Sequence, residues 1–92
     1  MYASPEIRYE VETEEKKFAL VKAAVAHFKA GGNQVIDIDG ARVVFSDGWG
    51  LVRASNTQPL LVLRFEAKTA ERLAEIQGLI EGTLKDLEKG IG

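Results

Sequence analysis

A chain of 92 residues with 46% apolar and 28% charged side chains can bury one hydrophobic core and not two. Its net charge of −2 argues against general nucleic-acid binding, which needs a strongly basic face, and the lack of cysteine excludes disulfides and thiolate chemistry, as suits a cytoplasmic protein. No apolar run is long enough to span a membrane, and the residues after Met1 do not read as a signal peptide.

Ile7, Tyr9 and Val11 alternate with Arg8 and Glu10, the period of a half-buried strand. Thr13 can cap a helix in which Phe18, Val21, Val25 and Phe28 form one apolar stripe, with Gly31-Gly32 ending it. The acids Glu10, Glu12, Glu14 and Glu15 surround that helix N-terminus, where negative charge is favourable without any ligand. Ile36 and Ile38 alternate with Asp37 and Asp39. Asp39-Gly40 predicts a tight turn into Val43 and Phe45, and Asp47-Gly48 a second one. A strand through Leu51 and Val52 then reaches the polar segment Arg53-Ala54-Ser55-Asn56-Thr57-Gln58-Pro59. Leu60 to Phe65, apolar on both faces except at Arg64, predicts a strand inside the sheet. Thr69 caps a last helix carrying Leu73, Ile76, Ile80, Leu84 and Leu87 on one side. Gly78 and Gly82 each cost that helix roughly 1 kcal/mol relative to alanine, and close packing on the sheet is the one reason the sequence offers. The expectation is a single α+β domain over residues 1–92, a mostly antiparallel sheet of four or five strands with two helices on one face.

The polar segment interrupts two apolar strand-like runs, Trp49-Gly50-Leu51-Val52 and Leu60-Leu61-Val62-Leu63. A hairpin tip built only to turn favours Asn-Gly or Asp-Gly. This one holds two hydroxyls, an amide and a flanking arginine, with Arg64 five residues beyond Pro59. Short polar side chains, a guanidinium and the free N–H groups of a tight loop are the parts of an anion site. If strands 49–54 and 60–66 pair antiparallel about residues 57 and 58, Arg53 falls opposite residue 62 or 63, with Arg64 a diagonal step further from the tip. Both side chains can then reach one phosphate, whose oxygens suit the planar, permanently charged fork of arginine. Spacing alone leaves open an ordinary polar turn with two solvated arginines.

Other motifs carry less. Val35-Ile36-Asp37-Ile38-Asp39-Gly40 is similar to the nucleophilic aspartate motif of haloacid-dehalogenase phosphatases. That chemistry needs a parallel strand and a crossover helix, whereas Ala41 to Phe45 read as an immediately returning strand. A calcium loop starting at Asp37 would place Gly48 at its twelfth position, where a bidentate glutamate is required. His27, the only histidine, has no cysteine or second histidine with which to share a metal and belongs on a solvent-facing or half-buried helix surface. Trp49 is expected to pack on the sheet edge rather than stack on a sugar. No Ser-His-Asp set can be assembled.

Arg53-Ala54-Ser55-Asn56-Thr57-Gln58-Pro59 resembles the phosphate-binding loop that closes the last domain of the alpha-D-phosphohexomutases, of which the bacterial phosphomannomutase/phosphoglucomutase type looks closest. The likeness continues through Gly48-Trp49-Gly50-Leu51-Val52, Leu61-Val62-Leu63-Arg64-Phe65-Glu66-Ala67, Ser4-Pro5-Glu6-Ile7 and Asp39-Gly40-Ala41-Arg42-Val43. Gln58 departs from the glutamate common in the family, while the donors are all present. The resemblance implies the TATA-binding-protein-like topology of the mutase C-terminal domain, a label for the fold with no claim about DNA. It implies that Arg53, Ser55, Asn56 and Thr57 hold the substrate phosphate that is not being transferred, with Arg64 a weaker assignment, behind those ligands or at a hinge. A hexose phosphate is then the ligand, and the other domains of the same enzyme are the partners. Those domains bring the phosphoserine, the acidic residues that hold Mg2+ and the sugar-reading loop. None of these is matched here, so the isolated domain is expected to bind no metal, contribute no catalytic residue and have no activity alone. Two further classes stay open: a free-standing phosphate- or phosphosugar-binding module, and a protein-interaction domain in which the loop is incidental.

Overall fold

Residues 1–91 are described by a computed structural model. In chain order they form β1 (Tyr2–Ala3), β2 (Ile7–Glu10), α1 (Glu14–Ala30), β3 (Gln34–Ile36), β4 (Ala41–Phe45), β5 (Gly48–Ala54), β6 (Leu60–Ala67) and α2 (Ala70–Ile91). Both helices begin where a threonine hydroxyl takes up an orphan amide: Thr13 Oγ1 accepts from Lys16 N at 3.1 Å, and Thr69 Oγ1 from Arg72 N at 3.0 Å. Helix α1 stops at Gly31, whose N–H donates to His27 O, and the chain then turns through Gly32 at φ 86°. Only glycine takes that left-handed conformation at little cost.

Every strand pairing is antiparallel, in the order β1-β6-β5-β4-β3. Strands β1 and β2 share one edge of β6, β1 against its C-terminal end and β2 against its N-terminal half. The sheet therefore has six strands but is five wide. As its apolar run predicts, β6 is interior, flanked by β5 and the β1/β2 edge. Both helices cover one face. The core is one cluster in which Leu20, Ala24 and Phe28 of α1 and Ile76, Ile80 and Leu84 of α2 meet Ala41, Val43, Val52, Leu61, Leu63, Phe65 and Ala67 of the sheet.

Four local expectations are corrected. The buried line of α1 is Lys17, Leu20, Ala24 and Phe28, while Phe18 is 60% exposed and Val21 and Val25 pack only at the margin of the core. Lys17, which heads the buried line, is fully buried, so the true stripe is rotated from the predicted one. Strand β3 ends at Ile36, and Ile38 is 92% exposed in the following turn. The β4–β5 hairpin turns on Ser46 and Asp47, with Gly48 already paired to Phe45. Gly48 serves packing instead: an alanine Cβ there would lie 2.5 Å from Glu66 O and 2.8 Å from Ile76 Cδ1. Conversely, Gly78 and Gly82 have open space around them, so sheet packing does not explain them.

Candidate functional site: a loop between a buried lysine and an arginine face

The sheet face away from the helices is uncovered and holds four of the five arginines. Paired residues of an antiparallel sheet project to the same side, so the register lays them out in rows. Arg42, Leu51 and Arg64 lie side by side on β4, β5 and β6, and one row nearer the 55–59 loop come Arg53, Val62 and Arg8. Arg53 thus stands opposite Val62 with Arg64 on the diagonal, as the hairpin reading requires. No lysine lies within any strand. Arg42 places its guanidinium 4.4 Å from the Trp49 ring centre, a cation–π contact. This also locates Trp49 in a central strand, half-buried between Val44 and Glu66, and not at the sheet edge.

Arg42, Arg53 and Arg64 share one cleft of about 310 Å³ with Ile36, Ile38, Leu51 and Asp39. Asp39 Oδ2 stands 3.8 Å from Arg53 Nη1, and no carboxylate pairs with Arg8, Arg42 or Arg64 among the described residues. Asp39 is 79% exposed, which makes that contact weak and readily displaced. The turn that carries Asp39 is fixed against β5 by Gly40, at φ 97°; a side chain there would run into Val52 O and the Arg53 Cα.

Ser55, Asn56 and Thr57 do not line the cleft; they form the loop beyond Arg53. Ser55 N donates to Leu60 O at 3.0 Å and Leu60 N to Gln58 O at 2.8 Å, which closes the loop at its base. Ser55 Oγ accepts from both Thr57 N and Gln58 N at 3.3 Å. These bonds are long, so both amides keep donor capacity. Among the described residues the Asn56 N–H has no partner, nor do the side chains of Asn56 and Thr57, and both residues are exposed. The loop therefore offers amide donors, an unpaired carboxamide and a free hydroxyl at the end of a strand pair bearing two guanidinium groups. Such a set is suited to a multiply charged oxyanion.

The sequence reading missed Lys17. From the first turn of α1 its side chain runs fully buried to the back of the loop, where Nζ donates to Ser55 O at 2.5 Å and Gln58 O at 3.0 Å. Glu14 Oε2 stands 2.6 Å from the same nitrogen as its ion-pair partner. Two carbonyl oxygens and one carboxylate thus surround the buried ammonium, as burial of a charge demands. The signal was present in the sequence: Lys17 heads the line 17, 20, 24, 28, at the helical spacing of buried positions. His27 is exposed and stacks edge-on with Phe28, apart from the loop. Among the described residues no three His, Cys, Asp or Glu side chains gather closely enough to hold a metal ion. No helix of those residues is long and apolar enough to cross a membrane.

Comparison with known proteins places these features in a family. The family pattern described as "Phosphoglucomutase/phosphomannomutase, C-terminal domain" matches residues 6–82. A phosphomannomutase/phosphoglucomutase of Pseudomonas aeruginosa is 44% identical over 89 residues, 97% of this chain and 19% of that protein. A phosphoglucomutase of Neisseria meningitidis serogroup B is 52% identical over 63 residues, 68% of this chain and 14% of that protein. Among solved structures, a phosphoglucomutase/phosphomannomutase family protein from Burkholderia thailandensis superposes with a TM-score of 0.74 at 36% identity, covering 96% of this chain and 18% of that one. The chain thus spans less than a fifth of the length of these relatives, and it belongs to the family of phosphoglucomutase/phosphomannomutase C-terminal domains.

Proposed function

We propose that this domain binds the phosphate of a hexose phosphate within a phosphomannomutase/phosphoglucomutase. That enzyme is a cytoplasmic isomerase interconverting hexose 1- and 6-phosphates through a bisphosphorylated sugar. Residues 1–92 form one domain of it, and the other domains are its partners. The observation that carries the reading is the free Asn56 N–H in a loop flanked by Arg53 and Arg64, which share one cleft. Arg53, Ser55, Asn56 and Thr57 supply charge-assisted and neutral donors to the phosphate oxygens, and Arg64 adds charge from the next row. The uncovered arginine face raises the local concentration of a dianion before contact.

Phosphoryl transfer depends on positioning and on stabilising the group in flight. This domain supplies the first by fixing the far phosphate, and it contributes no group to the transfer itself. Magnesium does not fit the residues described here, which gather no metal-ligating set.

Amide chemical shifts followed during titration with inorganic phosphate, glucose 6-phosphate and glucose test the reading. Phosphate and glucose 6-phosphate should move residues 53–57 and, less, Arg64, with the response fading as salt screens exposed charge. Glucose should move nothing. Equal responses to glucose and glucose 6-phosphate, or shifts centred on residues 35–40, would overturn the assignment.

A further inference from the structure

We infer that Lys17 is a positioning residue for the phosphate loop, one that aims the Asn56 N–H outward by holding the far end of the same peptide unit. The inference rests on the phosphate reading above, because the amide it orients is the donor that reading uses.

In a trans peptide the C=O of one residue and the N–H of the next point in opposite directions. The Ser55 carbonyl is drawn inward by the Lys17 ammonium, so the amide of Asn56 must face away from α1. The Gln58 carbonyl is held by the same ammonium, and its following residue is Pro59, which has no N–H to misdirect. Lys17 thereby fixes both ends of the 55–58 segment from behind. The loop is also tied to the residue that follows β2, where Val11 N donates to Pro59 O at 3.0 Å.

The charge itself adds a second effect. A peptide whose carbonyl oxygen faces a cation is polarised, and its N–H becomes a better donor. An anion bound at Asn56 N–H would in turn strengthen the bond from Lys17 to Ser55 O. Glu14, 56% exposed, balances the charge of the ammonium. A lysine serving only the core would leave the loop amides indifferent to its replacement.

The test is a phosphate titration of the wild-type chain and of Lys17→Met and Lys17→Arg, read by amide shifts. In the wild type the Asn56 amide should move downfield. Lys17→Met, which keeps the apolar stem and removes the donors, should weaken phosphate about tenfold, the low end of what one charge-assisted hydrogen bond contributes. It should also abolish the downfield movement of Asn56 while the Arg53 response persists. Lys17→Arg should restore part of it. If Lys17→Met does not fold, the wild type alone decides: the Lys17 ammonium nitrogen should shift on phosphate addition with the same midpoint as the Asn56 amide, although the ligand never touches it. An ammonium signal that stays still at saturating phosphate, or a Lys17→Met titration identical to wild type, would overturn the role of Lys17. A wild-type chain whose residues 53–57 ignore phosphate would overturn the underlying reading as well, which separates the two failures.

Discussion

Alanine substitution at four glycines should divide by sign, because the structure gives them opposite surroundings. At Gly50 an added methyl runs into Ile80 Cδ1, well inside contact distance, and lies 3.0 Å from Phe65 Cδ1. Both are side-chain atoms that can give a little. Overpacking of this kind costs about 1–3 kcal/mol, offset by about 0.4–1 kcal/mol from the stiffer unfolded chain, so Gly50→Ala should destabilise by roughly 0.5–2 kcal/mol. At Gly48 two of the three nearest atoms, Glu66 O and Ala67 Cα at 2.5 and 3.0 Å, belong to the backbone of the neighbouring strand and cannot step aside. Its cost should reach about 3 kcal/mol or more. Gly78 and Gly82 lie exposed in α2 with nothing near a new methyl. Each alanine there should stabilise by roughly 1 kcal/mol from helix propensity. In a domain of this size 1 kcal/mol moves Tm by about 4–8 °C. Thermal unfolding followed by circular dichroism should therefore rise for Gly78→Ala and Gly82→Ala and fall for Gly50→Ala and, further, Gly48→Ala. A fall at Gly78 would show that the outer face of α2 is not free. No change at Gly50 would mean that Ile80 does not rest on β5, the strand that carries Arg53.

Arg53→Ala in the whole enzyme should lower kcat/KM by about 10- to 150-fold, the worth of one charge-assisted contact, with partial recovery in Arg53→Lys; a change within about twofold in steady-state kinetics would remove Arg53 from the ligand set. Burial first, and then the hydrogen bond to Glu88, push the Tyr9 phenol well above its ordinary value of 10.0. Its folded pKa is raised, so the stability it contributes is complete below the unfolded value and is lost as pH climbs through and above it. Urea unfolding should show that alkaline loss in the wild type and less of it in Tyr9→Phe, which at neutral pH should cost about 0.5–1.5 kcal/mol for the lost bond. Asp37 is held below its ordinary value of 3.8 first by the hydrogen bond from Lys29, at 2.7 Å, and then by that ammonium's charge. Its small contribution is therefore present above that value and fades as pH falls through the folded one. Lys29→Ala should move the Asp37 carboxylate titration upward by NMR, and salt should do the same in part, since the pair is exposed.

The elements that were legible in the sequence are those whose signal is local. Both threonine caps, the Gly31-Gly32 stop, the Asp39-Gly40 turn and the apolar line of α2 each follow from a few adjacent residues. A turn placed at residues 57 and 58 put Arg53 opposite residue 62 or 63, and the structure pairs it with Val62, because antiparallel register is set by where the turn sits. The failures at Gly48 and Lys17 depended on contacts distant in sequence. Nothing beside Gly48 shows that Ile76 will lie across it, so its glycine reads as a turn signal when it is a space for α2. Lys17 has partners 38 and 41 residues away. A periodicity count that treats lysine as polar discards it, and in doing so rotates the whole stripe of α1. The arginine face was half visible: Arg53 and Arg64 stood out next to the loop, but Arg8 and Arg42 join them only through the order of strands.

The two sets of charges around the loop differ in what they can contribute to a binding event. Lys17 is fully buried, donates to two loop carbonyls and pairs with Glu14, so the peptide it holds is oriented before any ligand arrives. That part of the site loses little entropy when an anion binds. Arg53 is 44% exposed and Arg64 is exposed with no carboxylate partner, so both must be ordered by the ligand. Ordering a long side chain costs about 0.5–1.5 kcal/mol, which takes back much of what one guanidinium contact gains. A fixed amide in front of a buried cation can set the geometry of the phosphate, while mobile guanidinium groups add attraction that water and salt erode. Such a site should recognise where the anion sits better than it retains it. That balance would suit the proposed role, in which a phosphate is gripped during turnover and released afterwards.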